Sequence, residues 1–332
     1  MIHTLQNKNG MTVSVLPLGG IIQGLTAPDR HGRYEDVVLG FEDEQDYQRE
    51  HPYFGALIGR YGNRIAGGRF ALRGSEFVLA CNLGENHLHG GERGIDKVFW
   101  NVEQAGSTLQ LRYTSADGEE GYPGELALHV TYTLTDNDEF QIDYHAMTTK
   151  PTVVNLTSHP YFNLSRQDSV SDHELQLFGS RYTPVDDGQI PTGQVASVGG
   201  TPMDFRHPAR IGQRIDDDDV QLRRGGGYDH NWVLDKSTDD LVLAARVNDP
   251  VSGRVLEVVT TEPGLQFYSG NSLQDIRGKR GAVYGPRSGF CLETQHFPDS
   301  PNHPDFPSTE LLPGDEYKST TIYRFSTIAA GT

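Results

Sequence analysis

The 332-residue sequence predicts an all-β protein built as a large sandwich. Three observations carry that expectation. Apolar residues recur at every second position over several long runs, the spacing of strands with one buried face. The 38 glycines and 18 prolines suit many turns and little long helix. No alternation of strand and helix signals is found, which argues against a doubly wound α/β sheet.

Taken in order, residues 42–50 form the one stretch that reads as a short helix. Leu109, Leu111 and Tyr113 begin the alternating pattern. Leu126, Leu128, Val130, Tyr132 and Leu134 then share one face, and the rhythm resumes at Phe140, Ile142 and Tyr144 after the turn residues Asp136, Asn137 and Asp138. Further strands are expected at residues 231–234, 241–247, 255–261 and 320–325. The acidic run 216–219, beside Arg223, Arg224 and three glycines, reads as a solvated loop without the spacing of a calcium loop. Residues 298–313, rich in proline, read as an ordered surface loop. No repeat or long linker divides the chain, so residues 1–332 are read as one domain.

Charged residues make up 22% and hydrophobic residues 36% of the chain, the balance of a soluble globular protein. A net charge of -17 argues against nucleic acid or an anionic membrane as partner. Cys81 and Cys291 stand far apart without metal-type spacing and read as buried free thiols. The first residues lack a basic start followed by an apolar core, and no run reaches transmembrane length. A reducing, cytoplasmic setting is expected, where the sequons at Asn155 and Asn163 carry no meaning. Oligomeric state is not encoded in these signals; a monomer or weak homodimer is the working expectation.

Six stretches hold groups suited to chemistry. Thr157-Ser158-His159-Pro160-Tyr161-Phe162-Asn163 places an imidazole among aromatic rings, and Pro160 biases His159 towards extended or turn geometry. Taken alone, His159 reads first as a core histidine. Gly59-Arg60-Tyr61-Gly62-Asn63-Arg64 suggests backbone close to a ligand, yet it lacks the elements of a phosphate loop. His87 and His89, two apart, would face the same way in a strand and could ligate a metal; the missing partners at jelly-roll spacing favour no metal. Asp229, followed by His230 and Asn231, offers hydroxyl-gripping groups. Gln266 stands beside Phe267 and Tyr268, combining an amide with apolar rings. Glu293 lies in the apolar opening Gly289-Phe290-Cys291-Leu292, where a carboxylate needs a partner or a function.

Together with Asp117-Gly118-Glu119-Glu120-Gly121-Tyr122-Pro123-Gly124, Met203-Asp204-Phe205-Arg206 and Pro301-Asn302-His303-Pro304, these segments resemble the aldose 1-epimerases, the galactose mutarotases. The resemblance runs in order from about Gly55 to Tyr317. It implies a galactose mutarotase-like β-supersandwich with a sugar cleft and no cofactor. By motif, His159 resembles the general acid and Glu293 the general base. Asn63, Arg64, His89, Asp229 and Gln266 resemble sugar-contacting residues. Tyr161 and Asn163 either line that cleft or fix the imidazole. His87 departs from the usual small polar residue, so its role stays open. The implied reaction interconverts the anomers of free aldohexoses such as galactose and glucose. Two other readings stand beside it: a glycoside-cleaving sandwich enzyme with Asp229 as second carboxylate, and a non-catalytic sugar-binding protein.

Overall fold

Strand pairing sets the architecture. The computed structural model describes residues 1–165, 167–238 and 240–328. Nine strands form one antiparallel sheet in the spatial order Asn101–Ala105, Thr108–Ser115, Leu126–Leu134, Glu139–Thr148, Tyr317–Thr327, Arg254–Thr260, Val242–Asn248, Glu174–Leu177 and Ala209–Arg210. A second sheet runs Ala196–Ser197, Arg181–Thr183, Asp229–Val233, Gly264–Tyr268 and Cys291–Gln295. A third, at the N-terminus, joins His3–Gln6, Thr12–Val15, Ile22–Pro28 and Tyr34–Asp36.

The alternation read from the sequence is what welds these sheets. Leu126, Leu128, Val130, Tyr132 and Leu134 are all buried, while the residues between them are exposed or half-buried. Each such side chain contributes about 1.5–3 kcal/mol on leaving water. They join Val13 and Leu25 of the N-terminal sheet and Trp232, Leu265 and Leu292 of the five-stranded sheet in one apolar core. With Leu265, Phe267 and Leu292 spent on that core, their neighbours Gln266 and Glu293 project from the other face. That is how the fold presents polar groups at a buried position.

Strands expected at 231–234, 241–247, 255–261 and 320–325 are found at Asp229–Val233, Val242–Asn248, Arg254–Thr260 and Tyr317–Thr327. Three expectations need correction. The helix expected at 42–50 is a 3-10 turn, Glu44–Gln48, capped by the Asp43 side chain. The acidic run is exposed loop as expected, but a helix that was not expected, Val220–Gly225, follows it, with Asp219 accepting hydrogen bonds from the backbone of Gln221 and Leu222 at its start. Six residues are too few to leave a periodic stripe in the sequence. Cys291 is a buried free thiol as expected, but Cys81 is exposed. The proline-rich stretch is ordered, with Phe306 buried against Phe297. Asn155 and Asn163 are both buried. No helix among the described residues is long and apolar enough to cross a membrane.

Candidate active site

Three adjacent strands supply one wall of the site in register. Asn231 pairs with Gln266, and Gln266 pairs with Glu293, so the three side chains stand in a row across the sheet. One step along, Asp229, Tyr268 and Cys291 form a second row. Gln266 Nε2 donates to Asp229 Oδ1 at 2.7 Å, linking the rows.

The facing wall is loop. The His159 N–H donates to the Ala56 carbonyl at 2.9 Å, and its own carbonyl accepts from the Gly55 N–H at 3.0 Å. These bonds, with Pro160 behind, hold the imidazole against the Gly55–Arg64 segment. Asn63 and His89 sit at φ 63° and 51°, left-handed conformations that asparagine and histidine adopt more readily than most residues. The Asn63 N–H donates to His89 Nδ1 at 3.1 Å, and Asn63 Oδ1 accepts from the Arg64 N–H at 3.0 Å. Gly90 follows at φ 88°, where a Cβ would lie 1.8 Å from the Gly59 carbonyl oxygen. No other residue fits there.

At the centre, His159 Nε2 lies 3.6 Å from Glu293 Oε1. Both residues are almost fully buried. Burial pushes the His159 imidazole down to about 4. Burial, reinforced by the nearby Asp229 charge, pushes the Glu293 carboxyl well above its ordinary value. Glu293 Oε2 is buried without a hydrogen-bond partner among the described residues. Leaving such an acceptor unpaired is costly. The Tyr161 ring stacks on His159 with centroids 5.0 Å apart, itself packed by Phe54 and Tyr268. It therefore fixes the imidazole plane. Cys291 Sγ approaches His159 Nδ1 to 3.5 Å.

Arg64 completes the ring of polar groups, with Nη2 3.6 Å from Asp229 Oδ2. Seven of the eight residues singled out by motif, His159, Glu293, Asn63, Arg64, His89, Asp229 and Gln266, thus line one site, with Tyr161 packed behind. His87 does not join them. The strand covers only His87–Leu88, so the two-residue argument fails at His89, which has left extended geometry. His87 is buried instead, with Nδ1 2.7 Å from the Ala80 carbonyl and Nε2 2.6 Å from the Tyr122 hydroxyl. Asn163 holds the loop, donating to the Gln167 and Ser288 carbonyls.

Two residues of the site were missed. Tyr53 packs its ring 4.7 Å from His89 and 5.9 Å from His159; an aromatic just before Gly55 was the available signal. Gln189 reaches in from a distant loop. Its turn, Asp186-Asp187-Gly188, carries no chemical signature.

His89, His159 and Glu293 each bring a ligand atom within 4.8 Å of the others, the spacing of a divalent-cation site. The donor chemistry does not fit one. His89 Nδ1 already accepts the Asn63 N–H, which places the proton of a neutral imidazole on Nε2 and leaves His89 no lone pair for a metal. A second carboxylate–imidazole pair, Glu262 and His296 at 2.7 Å, lies just past the Cys291–Gln295 strand. Burial opposes its charge, yet His296, Ser319 and Tyr317 hold the Glu262 carboxyl below its ordinary value. Both Glu262 oxygens have hydrogen-bond partners, His296 and Tyr317; Glu293 differs, its Oε2 having none among the described residues.

This fold, large antiparallel sheets with very little helix, is that of the galactose mutarotase-like proteins. Among solved structures, an aldose epimerase homologue from C. elegans superposes with a TM-score of 0.92 at 30% identity, covering 99% of both chains. Galactose 1-epimerase from Lactobacillus acidophilus gives a TM-score of 0.85 at 30% identity, covering 98% of this chain and 93% of that one. The family model described as aldose 1-epimerase matches residues 1–324. Human galactose mutarotase is 48% identical over 319 residues, covering 95% of this chain and 91% of the relative. Aldose 1-epimerase of Escherichia coli strain K12 is 40% identical over 326 residues, covering 97% and 94%. This chain belongs to the aldose 1-epimerase family.

Proposed function

We propose that this protein interconverts the α and β anomers of free aldohexoses, galactose and glucose among them, by acid–base ring opening and closure. The observation that carries the reading is the buried Glu293 carboxyl, with Oε1 3.6 Å from the His159 imidazole and Oε2 without a hydrogen-bond partner among the described residues. In the α/β interconversion, Glu293 takes the proton of the anomeric hydroxyl while His159 protonates the ring oxygen. The bond from C1 to the ring oxygen breaks, the open aldehyde turns about C1–C2, and closure reverses both transfers. Each positioned group contributes about 10²–10⁴-fold.

Burial explains why one pair serves both directions. Before opening, the pair is carboxylate and imidazolium; afterwards it is carboxyl and neutral imidazole. Both states hold the same number of protons. Attraction between the charges, about 4 kcal/mol at such separations, favours the first state, and desolvation favours the second. The raised carboxyl and the lowered imidazole both move the balance from the charged pair, which solvent favours, towards the neutral one. Arg64 and His89 stabilise charge developing on oxygen, and Asn63, Asp229 and Gln266 grip hydroxyls. Ring opening changes no oxidation state, so no cofactor enters.

Asp229 accepts from Gln266 on one oxygen and faces Arg64 with the other. That is the setting of a substrate grip and not of a proton-donating acid, which disfavours a glycoside-cleaving reading. The chain is read as one domain, monomer or weak homodimer, working in the cytoplasm, and its charge of -17 disfavours nucleic acid and anionic membranes as partners. Polarimetry of freshly dissolved α-galactose and α-glucose tests the activity. Catalytic amounts of protein should speed the drift to equilibrium; an unchanged rate with both sugars and with other aldoses refutes it.

A further inference from the structure

The loop between the strands Arg181–Thr183 and Ala196–Ser197 is built to deliver one side chain. Val185 and Pro191 bridge across its neck, and Asp186 Oδ1 accepts from the N–H groups of Gly188 and Ile190. The short helix Val220–Gly225 clamps it. Gln221 exchanges two hydrogen bonds with the Val185 backbone, and Arg224 bonds both the Val185 carbonyl and Asp187. At the tip stands Gln189, at φ 59°. A non-glycine residue is held in that region only when its surroundings demand it.

The Gln189 carboxamide spans the two charged members of the site. Its Oε1 accepts from Arg64 Nη2 at 2.6 Å, and its Nε2 donates to Asp229 Oδ2 at 3.2 Å. Accepting from the guanidinium and donating to the carboxylate is what a sugar hydroxyl does when gripped between them. The carboxamide also keeps a second N–H and a second lone pair, enough to bond such a hydroxyl itself. We propose that Gln189 is a specificity-determining residue, hydrogen-bonding the same ring hydroxyl that Arg64 and Asp229 hold. The assignment rests on the anomer-interconverting reading and adds to it the hydroxyl selectivity that the loop supplies.

The test compares wild type with Gln189→Leu and Gln189→Ala on glucose, galactose and their 2-, 3-, 4- and 6-deoxy analogues, by polarimetry. Loss of one neutral hydrogen bond predicts a KM about three- to tenfold higher for the parent sugars, with kcat within twofold. For the one deoxy sugar that lacks the gripped hydroxyl, wild type and variants should share the same KM. Equal KM values for wild type and variants on every sugar overturn the assignment. So does a rise by the same factor on all sugars, deoxy analogues included, since that marks a residue that only positions Arg64 and Asp229. Wild-type protein that fails to accelerate anomer exchange overturns both readings; active wild type with indifferent variants overturns this one alone.

Discussion

On the proposed reading His89 does two jobs with two nitrogens, and two substitutions separate them. Nδ1 accepts the buried Asn63 N–H at 3.1 Å, so the proton of the neutral imidazole rests on Nε2, which on that reading donates to the oxygen gaining charge. In His89→Asn, the amide oxygen takes the place of Nδ1 and keeps the Asn63 bond, while the donor is gone. Asparagine also tolerates the φ of 51° better than most residues. In His89→Gln, the amide nitrogen reaches the place of Nε2, but Asn63 loses its acceptor. A hydrogen bond to an oxygen gaining charge is worth about 1.5–3 kcal/mol, which is roughly 10- to 150-fold in rate. A buried N–H left unpaired costs about 1–3 kcal/mol of stability. The Asn variant should therefore unfold in urea as wild type does and lose that rate in polarimetry. The Gln variant should be destabilised and keep more of its kcat/KM. The reverse pattern, an active Asn variant and a fully stable Gln variant, would refute the tautomer assignment.

Two further predictions concern pH. On the proposed reading the pair works with one proton shared between its members, and below about 4 it gains a second, leaving no base. In brief pH jumps kcat/KM should stay level down through pH 6.5 and fall on the acid side with an apparent pKa near 4; an acid limb at 6.5, the value of a solvated imidazole, would contradict the burial argument. Stability should also fall in acid. Burial holds His87, His173 and His230 near 4 against an ordinary 6.5. A folded value below the unfolded one stabilises the protein fully above 6.5 and loses that contribution as pH drops towards 4, by up to about 3 kcal/mol per imidazole. The urea midpoint should decline across that window, and a flat midpoint would show these rings charge freely in the fold.

The strands were legible because period-two burial is local, as at Leu126 to Leu134, where each apolar position meets the same core. The site was legible wherever chemistry and backbone punctuation coincide. Gly55, Gly59 and Gly62 flag the loop carrying Asn63 and Arg64, and a carboxylate within the apolar Cys291–Gln295 strand flags Glu293. What escaped depends on long-range geometry. Nothing near Gln189 reveals that its loop folds across to Arg64, some 125 positions away in sequence. The separation of His87 from His89 turns on a single backbone conformation at His89 that alternation cannot foresee. The helix behind Asp219 is held by its cap and by the loop it clamps, not by a stripe of its own.

The central claim is that Glu293 and His159 carry the proton transfers, and Glu293→Gln tests it most directly. Glutamine matches the carboxyl in shape and removes a buried ionisable group whose Oε2 has no partner among the described residues. The variant should fold with wild-type circular dichroism. In polarimetry of fresh α-galactose its kcat should fall about 10²–10⁴-fold, with KM little changed. A folded variant that keeps kcat within tenfold of wild type would contradict the account.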